Sequence, residues 1–95
     1  MNKRTRVFIK RQHIASVSSD LLQAFQRECG VVNYAPWVRQ LCFERFGVDM
    51  EAPDALSLLE QAMVRYYYDS VGEWLQDEMR KRLSEKELIP RRESW

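Results

Sequence analysis

Few residues in this chain could do chemistry: one histidine, His13, two cysteines, Cys29 and Cys42, and a cluster of bases at the start. Histidine is the commonest general acid–base group, but His13 lies in a basic segment with no carboxylate close in sequence to orient it. The two cysteines and His13 give three candidate metal ligands, at spacings that match no zinc pattern. Each cysteine falls on the apolar side of a helical pattern, where a free thiol behaves as a small hydrophobe. Glu73, Asp77 and Glu78 share about a turn of a helical segment and read as a solvated carboxylate face. The three glycines are scattered, with neither a phosphate-cradling loop nor a nucleophile elbow. The sequence therefore points away from an enzyme, and no metal or cofactor is expected.

Binding chemistry is concentrated in Arg4 to Ser18, RTRVFIKRQHIASVS. Read with a period of two, Val7, Ile9, Arg11, His13, Ala15 and Val17 fall on one face. Arg6, Phe8, Lys10, Gln12, Ile14 and Ser16 fall on the other, which carries most of the hydrogen-bonding side chains. This pattern predicts a strand with one buried face and one reading face. A lone strand leaves its ladder groups unpaired, so the segment is expected to form half of an intermolecular ribbon.

At 95 residues the chain makes one domain, small enough for oligomerisation to add useful burial. The composition, 45% hydrophobic and 31% charged, is that of a globular protein, and no apolar run is long enough to span a bilayer. No apolar segment with a small-residue cleavage site follows the basic start, so a cytoplasmic location without a targeting peptide is expected. The net charge of +1 conceals a division. Met1 to His13 holds five bases and no acid, whereas Asp49 to Met79 holds eight acids against Arg65 alone. A basic N-terminus on a nearly neutral chain points to an anionic partner met by that end.

The elements that would position this stretch follow in order. Met1 to Lys3 is expected to fray. Ser18-Ser19-Asp20 supplies helix-capping residues before Leu21, Leu22, Phe25 and Cys29, which predicts a helix over Ser19 to Cys29 ending at Gly30. Asn33 caps a second helix with Pro36 in its first turn, an apolar stripe of Trp37, Val38, Leu41, Cys42 and Phe46, and a stop at Gly47. After a linker over Val48 to Pro53, the stretch from Ala55 to about Lys86 contains no proline and predicts one long helix. Its stripes are Leu56, Leu59, Met63, Tyr67, Val71 and Trp74, with Tyr68, Leu75, Met79 and Leu83 alongside. So wide an apolar face requires the helix to bend back or to pack on a partner chain. Gly72 is the candidate for a bend or a close crossing. Among Tyr66, Tyr67 and Tyr68 at most two can be core. Pro90 ends the helix, and Arg91 to Trp95 reads as a loose tail.

The order of elements, with Ala15-Ser16-Val17-Ser18-Ser19-Asp20-Leu21-Leu22 followed by Trp37-Val38-Arg39-Gln40-Leu41, resembles the ribbon-helix-helix family of DNA-binding proteins. The likeness covers residues 4–47. It lacks the usual proline before the first helix, and the segment preceding that helix is longer than a single family strand. The resemblance implies a symmetric dimer whose paired strands enter the major groove, where arginine or lysine can read guanine and glutamine adenine. Two registers are open: an outward trio of Gln12, Ile14 and Ser16, or one of Arg6, Phe8 and Lys10. Asn33 and Tyr34, at the start of the second helix, would meet a phosphate, and Arg4 would add salt-dependent affinity. Val7, Ile9, Val17, Trp37 and Leu41 would form the dimer interface.

The resulting expectation is a mainly α fold. An N-terminal strand pairs in a dimer, two short helices follow, and a long C-terminal helix completes the chain. Residues 1–47 form the DNA-binding and dimerisation unit, 48–89 the linker and long helix, and 90–95 the tail. The expected function is a dimeric, sequence-specific DNA-binding protein, a repressor or a mobile-element accessory factor, whose partners are duplex DNA and a second copy. The alternative is an all-helical interaction module that offers the aromatic and Met face of its long helix to another protein.

Overall fold

The computed structural model describes residues 3–85, and they form a mainly helical fold behind an N-terminal antiparallel pair of strands. The expectations for Met1 and Asn2, for the end of the long helix beyond Glu85 and for the tail lie outside the described residues. Strand β1 spans Arg4–Ile9 and β2 spans Gln12–Ser18. The expected intermolecular strand is thus a hairpin made by one chain, closed by the two-residue loop Lys10-Arg11. Lys10 supplies the positive backbone angle, φ 57°, that such a tight loop needs.

The ladder pairs Val7 with Ala15 but Phe8 with His13, so Ile14 is an extra residue on β2. This bulge explains why neither alternating face looked clean in the sequence. It shifts the period by one, so that Ile14 and its neighbour Ala15 are both buried. Inward-facing Val7, Ile9 and Val17 complete the sheet's share of the core.

The Ser19 amide donates to the Lys3 carbonyl at 3.0 Å. Alternation along an antiparallel ladder then directs the backbone groups of Thr5 and Val7 toward β2, and those of Arg4, Arg6 and Phe8 away from it. The two edges of the sheet are treated differently, because the far edge of β2 is covered by the last helix.

Helix α1 spans Ser19–Cys29; the Ser18 hydroxyl accepts from the Leu21 amide, and Gly30 ends the helix in the left-handed region. Helix α2 spans Tyr34–Phe46, with the Asn33 Oδ1 accepting from the Ala35 amide at 3.1 Å and Gly47 closing it. Phe25 of α1 packs on Trp37 of α2 with ring centroids 4.5 Å apart.

The long helix is broken into two. Helix α3 spans Ala55–Arg65 and α4 spans Val71–Glu85. The break is a Schellman turn: the Tyr68 amide donates to the Met63 carbonyl, the Tyr67 amide to that of Val64, and Tyr67 adopts φ 64°. Ser70 then restarts the chain, its hydroxyl accepting from the Glu73 amide. Folding back in this way buries Leu59, Met63, Trp74, Leu75 and Met79 within the chain itself. Tyr67, expected in the apolar stripe, is 95% exposed instead.

Gly72 is not the bend. It lies in the first turn of α4 against the Ser16 backbone, where a Cβ would overlap the carbonyl oxygen and stand 3.3 Å from the carbonyl carbon. Four residues on, Gln76 is 3% exposed, and its Oε1 accepts from the Ser18 amide at 2.7 Å and from Arg4 Nη1 at 3.2 Å. These contacts dock α4 on β2.

Candidate nucleic-acid interface

The hairpin and Lys3 just before it carry five basic side chains, Lys3, Arg4, Arg6, Lys10 and Arg11, and no acid between residues 3 and 18. The fold divides them by their partners. Arg4 reaches across the sheet, donating from Nη2 to the Ser16 carbonyl at 2.6 Å and from Nε to the Ser16 hydroxyl at 3.4 Å, as well as to Gln76. It braces the ribbon. Lys10, at the tip, is ion-paired with Glu51 from the connection between α2 and α3. Lys3, Arg6 and Arg11 are exposed and have no ion pair among the described residues.

Beside Arg6 on the outer face, Phe8 and His13 are cross-strand partners, with ring centroids 5.6 Å apart and planes inclined at 55°. Phe8 is 39% exposed, unusually open for a phenylalanine. The outer face therefore carries a cation next to an aromatic pair, with two further cations at the tip. Such a surface can neutralise phosphates, donate to base edges, and offer a ring to a thymine methyl or an unstacked base.

The sequence-predicted residues are divided by this arrangement. Arg6 and Phe8 are exposed on the outer face of the ribbon and Lys10 at its tip. Gln12 is exposed too, but it pairs with buried Ile9 and so lies on the opposite face, and the two candidate trios do not come together. Ile14 does not join them, because the bulge turns it into the core, where it is 5% exposed. Ser16 is half-buried and held by Arg4. Asn33 and Tyr34 belong to the start of α2, where the Asn33 side chain is already used as a cap. Val7, Ile9, Val17, Trp37 and Leu41 are buried in the chain's own core, so they present no surface to a second copy. Sequence reasoning missed Gln76, which no local signal marks, and Glu51, whose link to Lys10 spans two helices.

Glu78 also departs from expectation. It is 9% exposed and forms an ion pair with Arg45 of α2 at 2.9 Å, with Arg82 at 3.6 Å. The bond to Glu78 raises the Arg45 pKa, and burial, with help from Asp77 and Glu78, raises that of Tyr68. Both cysteines are buried and unbridged, and burial pushes the Cys42 thiol up to about 12. Among the described residues no helix is long and apolar enough to cross a membrane.

No family model, curated protein or solved structure matches the chain. The ribbon-helix-helix likeness thus rests on the residues that carry it, and the hairpin is where the fold departs from that family's single strand.

Proposed function

We propose that this protein binds double-stranded DNA with the outer face of its hairpin, as a small repressor or mobile-element accessory factor would. The observation that carries this reading is a two-stranded ribbon, free of acids, that places Arg6, Phe8 and His13 on one exposed face and Arg11 at its tip. A two-stranded β-ribbon fits the major groove. Here one chain supplies both strands, so a partner is not needed to complete the reading element. A single ribbon covers few base pairs, and two copies on adjacent half-sites, each inserting its own hairpin, give the dimeric form of the proposal.

The helical alternative loses most of its surface. Met63, Trp74 and Met79 are core residues, which leaves Tyr67 as the exposed member of that face, with Leu58, Val64 and Tyr66 exposed beside it.

The test is fluorescence anisotropy on labelled duplexes across a salt series. Wild type should bind at about 50 mM salt and weaken steeply as salt rises. The double variant Arg6→Ala/Arg11→Ala should lose about tenfold or more in affinity and flatten the log–log salt slope by about 1.8, near 0.9 for each phosphate contact. Its melting temperature should stay near that of wild type, because neither side chain has a partner among the described residues to lose. A wild type that ignores duplex DNA at low salt, or a double variant that binds as well, would refute the reading.

A further inference from the structure

We infer that Glu51 is an internal competitor for the polyanion at the ribbon tip, an inference that rests on the DNA-binding reading above. Lys10 sits at the first position of the two-residue loop with φ 57°, a backbone angle that glycine adopts freely and an L-residue only at a cost. Despite that cost the position holds a lysine, and its ammonium meets the carboxylate of Glu51, 41 residues further along the chain.

Glu51 is not on a loose loop. Its amide donates to Asp49 Oδ1 at 2.9 Å, the Ala52 amide donates to the Asp49 carbonyl at 3.0 Å, and Val48 and Met50, on either side of Asp49, are buried. The carboxylate is therefore presented to the tip by a turn anchored in the core. Both partners remain open to solvent, with side-chain exposures of 65% for Lys10 and 51% for Glu51. A phosphate oxygen can reach the same ammonium, but only by sharing it with Glu51 or displacing it. Arg11, the next residue, carries no such partner among the described residues. The tip thus has one unencumbered charge and one that is held in check.

The discriminating measurement is a double-mutant cycle in duplex affinity on the full chain. Glu51→Gln, which keeps the shape and removes the charge, should tighten binding about three- to tenfold at about 50 mM salt. Glu60→Gln, at an exposed position on α3, should have less than half that effect and controls for net charge. Lys10→Ala should change affinity less than about twofold in the wild-type background and about fivefold or more in the Glu51→Gln background. Equal effects of Glu51→Gln and Glu60→Gln, weaker binding by Glu51→Gln, or the same Lys10→Ala effect in both backgrounds would overturn the inference. If wild type binds with the expected dependence on Arg6 and Arg11 but shows no coupling between positions 10 and 51, only this inference fails. If no variant binds duplex, the DNA-binding reading fails with it.

Discussion

Replacing Gly72 by alanine tests the docking of α4 on the hairpin. In an exposed helix this change would stabilise by about 1 kcal/mol, because alanine is the better helix former. Here the new Cβ would overlap the Ser16 carbonyl oxygen and stand 3.3 and 3.4 Å from the Ser16 carbonyl carbon and nitrogen. The obstacle is backbone, and the Ser16 carbonyl is itself held by the Arg4 guanidinium at 2.6 Å. Helix α4 must therefore retreat by roughly an ångström to restore ordinary contact. Overpacking of this kind costs about 1–3 kcal/mol. The retreat also pulls Gln76 from the Ser18 amide, and an unsatisfied buried donor costs about 1–3 kcal/mol more. Set against the helix-propensity gain, the net loss is about 1–5 kcal/mol. Urea denaturation followed by circular dichroism reads it as a lower midpoint at unchanged slope. Gly30→Ala is the control, since its Cβ meets nothing within 4 Å and only the left-handed backbone, φ 70°, is penalised. A Gly72→Ala protein as stable as wild type would refute the close-approach argument.

Two further outcomes follow from the backbone and from burial. Tyr67→Gly should raise stability by about 1 kcal/mol, because Tyr67 occupies the left-handed position of the turn closing α3 and its exposed ring has little packing to lose; a lower urea midpoint would contradict this. The second concerns Cys42, whose thiol is raised from 9.0 to about 12 in the fold. Above about pH 9 the unfolded chain releases this proton while the folded chain keeps it, so stability should fall as pH rises toward 12, by a few kcal/mol in all. Tyr68, raised by burial from 10.0, adds a loss of the same sign that begins above about pH 10 and so overlaps that of Cys42. Cys42→Ala should start from a lower stability but decline less steeply, and parallel curves would refute the assignment.

The parts of the fold that were legible in the sequence are those built on conventional punctuation. Helices α1 and α2 have capping residues, Ser18 and Asn33, and end at glycines in the left-handed region, Gly30 and Gly47. Both hidden features use a positive φ without the expected residue. The hairpin loop sets a lysine where glycine, asparagine or aspartate would announce a turn, and the α3–α4 break sets a tyrosine there. With no signal at either place, one strand and one long helix were the natural readings. The bulge at Ile14 then shifted the alternation on which the outward trio depended. Arg6 and Phe8 lie outward as the parity placed them, because β1 alternates without an extra residue, whereas Gln12 pairs with inward Ile9 and Ile14 is the bulged residue of β2. The Lys10–Glu51 and Gln76–Ser18 contacts join residues 41 and 58 positions apart, a separation at which a single sequence carries no pairing information.

The asymmetry of the hairpin's two borders has a consequence for assembly. Gln76 and the Gly72 turn seal one border, while the outward amides and carbonyls of Arg4, Arg6 and Phe8 line the other. A sheet that can be extended on one side only has a single vacancy, so joining two such molecules through it consumes both vacancies and leaves nothing to propagate. Repulsion between the arginines brought face to face would oppose even that one step. The geometry thus guards a small, strand-bearing protein against fibre growth, and the sealing falls to the same helix–strand crossing that forbids a side chain at position 72.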